Sequence, residues 1–100
     1  MRDITKKDRA VFLELIQLWA ACLPNVEMDK VELVEWLRFF DHDVVRRGIE
    51  VTGGWYKRTV AKGTELEDED AHRYATAVMR NTTRNREVVK DILGDEGGAA

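Results

Sequence analysis

Apolar residues recur at helical spacing in four stretches of this chain. In the first, Phe12, Leu15, Ile16, Trp19, Cys22 and Leu23 stand three or four apart, which puts them on one side of a helix. That helix is predicted from about Lys6 to Leu23, opened by a Thr5–Asp8 capping box and stopped by Pro24. Leu13 and Leu18 lie off the stripe, so a central helix covered on more than one side is expected. A second helix begins at Asp29, whose carboxylate can cap with Glu32 three residues on. Its inner face is predicted as Val31, Leu33, Val34, Leu37 and Phe40, with Trp36 and Phe39 near the edges. It should end near Asp41, where Asp41-His42-Asp43 reads as a turn.

Val44, Val45, Ile49, Thr52 and Tyr56 continue the pattern, but Gly53-Gly54 lies among them. Each glycine costs a helix interior about 1 kcal/mol against alanine. The favoured expectation is a helix to about Thr52 followed by a turn or two through Trp55–Val60. The alternative is a longer helix, kinked where another backbone approaches closely. Lys62-Gly63-Thr64 marks the next boundary, with Thr64 and Glu67 as a second capping box and Asp68 or Asp70 as other starts. From Asp70 to Asn85 the chain writes a helix with two opposed faces. Ala71, Tyr74, Ala75, Val78, Met79 and Thr82 share one side; Arg73, Arg80 and Arg84 form a row on the other. The helix is expected to weaken after Thr82, because Asn81, Thr82, Thr83 and Asn85 are poor formers and Arg86 falls on the apolar face. Val88, Val89, Ile92 and Leu93 can resume it as far as Gly94. The fold expected is all-α, a small single-domain bundle of four to five helices over residues 1–93, with 94–100 a disordered tail.

One hundred residues suit one domain with one modest core. The 44% hydrophobic and 35% charged content belongs to a soluble globular chain. No apolar run approaches the roughly 20 residues of a membrane span, and Met1-Arg2-Asp3 begins no signal peptide. The single Cys22, read as a buried small hydrophobe, fits a reducing cytoplasm. The net charge of −3 is unevenly placed. Residues 64–70 carry five acids and no base, whereas residues 71–90 carry Arg73, Arg80, Arg84, Arg86 and Lys90 against Glu87 alone. Residues 41–62 add Arg46, Arg47, Lys57, Arg58 and Lys62 against three acids. A local basic surface is therefore compatible with the acidic total.

Catalytic constellations are missing from the sequence. There is no GxxxxGK[ST] phosphate loop, and the chain contains no serine. Two histidines and one cysteine make no zinc pattern, and the adjacent residues of Asp41-His42-Asp43 point in different directions. His72, one residue off the apolar stripe, is expected on the surface. A non-enzyme without metal or cofactor is the reading. Candidate nucleic-acid contacts are the Arg73, Arg80 and Arg84 row, Arg46 and Arg47, and Lys57 and Arg58. Trp55 and Tyr56 beside Gly53-Gly54 are either core aromatics or a platform for stacked bases.

The order of elements resembles the C-terminal domain of DnaD-type primosomal replication proteins. Glu32-Leu33-Val34-Glu35-Trp36 resembles that family's segment with a Trp and acids, and Asp43-Val44-Val45-Arg46-Arg47-Gly48-Ile49 resembles its following helix. Its Tyr-x-x-x-Ile-x-x-x-Trp helix is similar to Tyr74-Ala75-Thr76-Ala77-Val78-Met79-Arg80-Asn81-Thr82, matching at Tyr74, Val78, Met79 and Asn81; Thr82 stands where the family has Trp. The layout also resembles phage helicase loader and inhibitor proteins. The resemblance implies a non-enzymatic part in DNA replication initiation, as a primosome component or helicase loader that binds single-stranded DNA, a replicative helicase or both. Tyr74 and Val78 are read as packing residues even so. The alternative is a helical adaptor or phage-type inhibitor without nucleic-acid affinity, using Leu13/Leu18 or Phe39 against a protein partner.

Overall fold

The computed structural model describes residues 4–93, so the tail expected at 94–100 lies outside the described residues. Four helices follow one another: α1 (Lys6–Cys22), α2 (Lys30–Phe39), α3 (His42–Ala61) and α4 (Asp68–Leu93). No strand occurs among the described residues, and the fold is all-α. No helix there is long and apolar enough to cross a membrane.

The helix starts follow from local chemistry. Thr5 accepts from the Asp8 backbone N–H at 3.1 Å while the Asp8 carboxylate takes the Thr5 N–H at 2.9 Å, the reciprocal capping box expected there. Asp29 caps α2 through the N–H groups of Val31 and Glu32. At α4 the expectation of a Thr64–Glu67 box is corrected. The helix starts at Asp68, one of the starts expected, and the Asp70 carboxylate takes the Glu67 N–H at 2.9 Å. α3 stops where Gly63, at φ 90°, lets the chain turn back. The N–H groups of Gly63 and Thr64 then reach the carbonyls of Val60 and Thr59, a Schellman ending that a β-carbon at position 63 would strain.

α3 runs unbroken through Gly53-Gly54, which corrects the favoured expectation of a helix ending near Thr52. A β-carbon at Gly53 would stand 2.7 Å from Cys22 Cβ and 2.9 Å from the Cys22 carbonyl oxygen. The glycine admits the end of α1, and close packing offsets its poor helix propensity. Gly48 does the same for Met79 on α4, at 2.7 Å from its Cγ. Cys22 itself is only half-buried, and burial, followed by the charge of Glu50, pushes its thiol pKa up.

The core joins Leu15, Trp19 and Leu23 of α1 and its end to Leu33, Trp36 and Leu37, to Val44, Val45 and Ile49, and to Ala71, Ala75 and Met79. Trp36, expected near an edge, is fully buried, whereas Val31, expected inside, is 72% exposed. The physical reason is α4, which packs on α2 from the Trp36 side; Trp36 Nε1 donates to Thr76 Oγ1 at 2.9 Å. Leu18 packs against the core, but Leu13 is 63% exposed, so the expected second cover of α1 does not extend to it.

His72 is buried, not on the surface. Its ring lies 4.7 Å from that of Trp19 and 6.0 Å from that of Trp36. The Asp29 N–H donates to its Nε2 at 3.0 Å, which assigns the ring proton to Nδ1 and its bond to the Asp68 carbonyl at 2.7 Å. One imidazole thus joins the start of α2 to the start of α4.

Candidate nucleic-acid interface

The basic residues singled out in the sequence occupy three different surfaces. Arg73, Arg80 and Arg84 do lie in an exposed row on α4, opposite Ala71, Ala75 and Met79. Arg73 is paired with Glu69 one turn earlier at 2.5 Å. Arg73 and Arg80 also border a groove between the start of α2 and α4, whose other walls carry Glu27, Asp29, Glu32, Asp68 and Glu69. Five carboxylates in one groove work against a polyanion there. Arg46, on the α1 side of α3, is paired with Glu14 at 3.3 Å. Lys57 shares that side, close enough to Cys22 for its charge to act on the thiol.

Arg47 and Arg58 have a different setting. Arg47, Val51, Trp55, Arg58 and Lys62 are spaced four, four, three and four apart, so they form one row along α3. The adjoining row on α4 is Tyr74, Val78, Asn81 and Asn85, spaced four, three and four. The two helices run antiparallel: Trp55 meets Tyr74, Gly48 meets Met79, and Asp43 meets Arg86. Trp55 and Tyr74 stack face to face at the seam, centroids 4.1 Å apart and planes within 5°. Both rings are half-buried, as are Val51 and Val78. The Arg58 guanidinium folds back over α3, with Nη1 3.2 Å from where a β-carbon at Gly54 would sit.

Among the described residues, Arg47, Arg58 and Lys62 form no ion pair within 4 Å. The acids of the seam stand at its two ends. Asp43 is held by Arg86 at 2.8 Å, and this hydrogen bond, with the guanidinium charge, keeps its carboxyl below the usual range. Asp70 is engaged in capping α4. Between them lies a strip of stacked aromatics, valines, guanidinium groups and side-chain amides.

Of the motif residues, Met79 is fully buried against Gly48, and Thr82 turns its hydroxyl back onto the Val78 carbonyl at 2.8 Å. Asn81 is exposed. Tyr56 packs against the core while Trp55 sits at the seam, so the two adjacent aromatics have separate settings. Sequence spacing showed the arginine row but not the seam, because the seam needs two helices in antiparallel register. The signal available was the Arg47-to-Lys62 spacing, with a Trp in its middle. No family model, no curated protein and no solved structure matches this chain.

Proposed function

We propose that the chain is a non-enzymatic, cytoplasmic module of replication initiation that binds single-stranded DNA along the α3–α4 seam and serves a replicative helicase. The observation that carries this reading is the Trp55–Tyr74 stack set in a row of cations, Arg47, Arg58 and Lys62, that form no ion pair among the described residues. Single strands are held by this combination: cations track the phosphates, while aromatic rings and apolar side chains receive unstacked bases. The resemblance to primosomal domains supports a replication role, while Tyr74, read from the sequence as a packing residue, is half-buried against Trp55 and left partly open at the seam.

The test is fluorescence anisotropy with a labelled oligothymidine over a series of salt concentrations. Each phosphate contact to a single strand contributes about −0.7 to the slope of log affinity against log salt. The double substitution Arg47→Gln, Arg58→Gln is expected to flatten the slope by about 1.4. The triple substitution Arg73→Gln, Arg80→Gln, Arg84→Gln is expected to change it less, because Arg73 already has a carboxylate partner. The reverse ranking moves the interface to the outer face of α4. No binding by the wild-type chain leaves the adaptor reading, for which Leu13 and Phe39, 63% and 58% exposed, remain available while Leu18 packs against the core.

A further inference from the structure

His72 stands where the starts of α2 and α4 meet Trp19 of α1, and both nitrogens of its ring are engaged. Nε2 accepts the Asp29 N–H at 3.0 Å, and Nδ1 donates to the Asp68 carbonyl at 2.7 Å. Both partners are backbone groups with fixed roles, since an N–H only donates and a carbonyl only accepts. A second proton on Nε2 would therefore face the Asp29 N–H, donor against donor. The ring cannot turn aside to avoid this, because it is buried against Trp19 and Trp36.

Charged side chains surround the groove beside the ring. On α4 they are Asp68, Glu69, Arg73 and Arg80; on α2 and the residues before it they are Glu27, Asp29, Lys30 and Glu32. α1 presents Trp19 to the ring. The carboxylates and the tryptophan faces attract a cation, but the carboxylates have other partners. Asp68 takes the Glu27 N–H, Asp29 caps α2, Glu32 takes the Thr76 hydroxyl and Glu69 pairs with Arg73. Charge enters the ring only at the expense of the Asp29 hydrogen bond, in a place shut off from water.

We infer that His72 is an acid-released clasp. Neutral, it holds the start of α2 on α4; protonated, it lets the two separate and uncovers Trp19 and Trp36. The unfolded chain takes up this proton near the ordinary histidine value, about 6.5, whereas the closed fold has no place for it. Where the unfolded state binds more protons, stability falls as pH falls. His42 differs, because its Nε2 faces the Asp8 carboxylate at 2.5 Å, an acceptor that a protonated ring keeps.

Two measurements on the full chain test this. Imidazole nitrogens followed by nuclear magnetic resonance from pH 8 to 5 are expected to show the folded His72 with a protonated Nδ1 and a bare Nε2 throughout. Urea unfolding is expected to give an unfolding constant up to about thirtyfold larger at pH 5 than at pH 7.5 from this group. His72→Gln, whose amide oxygen can accept the Asp29 N–H and which takes up no proton, is expected to lose that difference. His42→Gln is expected to retain it. If His72→Gln fails to fold, the nitrogen signals of the wild-type chain decide alone. A His72 ring that gains its second proton while the Asp29 and Asp68 amide signals stay native overturns the inference, as does a proton on Nε2 at pH 8. So does a His72→Gln protein with the wild-type dependence on pH, or a dependence that disappears in His42→Gln instead.

Discussion

Gly53 and Gly54 are adjacent in α3, yet a methyl group would meet quite different neighbours at each. At Gly53 it would press on Cys22 Cβ at 2.7 Å and on the Cys22 carbonyl oxygen at 2.9 Å, a backbone atom that cannot swing aside. At Gly54 the nearest atom is the end of the Arg58 side chain at 3.2 Å, which can move. Alanine gains about 1 kcal/mol of helix propensity at either site, against about 1–3 kcal/mol for overpacking at the first. Gly53→Ala is therefore expected to lower the urea midpoint, at a net cost of up to about 2 kcal/mol, and Gly54→Ala to raise it by up to about 1 kcal/mol. Equal effects would mean that α1 does not close on α3 at this point. His72 and Asp8 carry the same lesson for polar residues. Each is buried, and each has, besides a partner three or four positions away, one 34 or more positions away: the Asp29 N–H for His72 and the His42 ring for Asp8. Pattern reading places a lone polar residue outside, because its distant partners are not visible along the chain.

Arg86 decides the fate of α4 as an element. On the pattern alone it breaks the apolar stripe and weakens the helix after Thr82. In the fold its guanidinium reaches Asp43 on α3 at 2.8 Å, and α4 continues to Leu93. The pairing holds the Asp43 carboxyl below its ordinary range, chiefly through the hydrogen bond from Arg86. A carboxyl whose pKa is lowered on folding stabilises the fold above its unfolded value, about 3.9, and loses that contribution as pH falls through the folded value. Both side chains are exposed, so the effect on stability is small. The expected outcome is spectroscopic. Arg86→Gln should move the Asp43 carboxyl titration, followed by nuclear magnetic resonance, upward towards the ordinary value. An unchanged midpoint would show that the ion pair does not form in solution.

At the scale of the molecule, Trp19 is the point on which the helices meet. It is 1% exposed, donates from Nε1 to the Val26 carbonyl at 2.9 Å, and packs against both Trp36 and His72. Trp19→Ala would open a cavity shared by α1, α2 and α4 and leave the Val26 carbonyl without that donor. The expected cost is about 3–5 kcal/mol, a large share of what a domain of this size has. Thermal unfolding followed by circular dichroism would show it as a melt displaced far below wild type. A Trp19→Ala protein melting like wild type would remove the tryptophan from the centre.

The all-α fold, the approximate positions of its helices, the Thr5 and Asp29 caps and the stop at Gly63 were legible in the residues themselves. Each rests on interactions within a few positions of chain, such as apolar spacing, a side chain reaching a nearby N–H, or a glycine turning the backbone. Tertiary structure alone decided that α3 passes through Gly53-Gly54, since the compensating contact comes from the end of α1. It likewise decided which side of α2 is inner, because α4 takes the Trp36 side and leaves Val31 in solvent. It separated the basic residues too, giving Arg73 and Arg46 to carboxylates and leaving Arg47 and Arg58 on the row of α3 that carries Trp55. A helix face is a local property of spacing, whereas a seam exists only once two faces are brought into register.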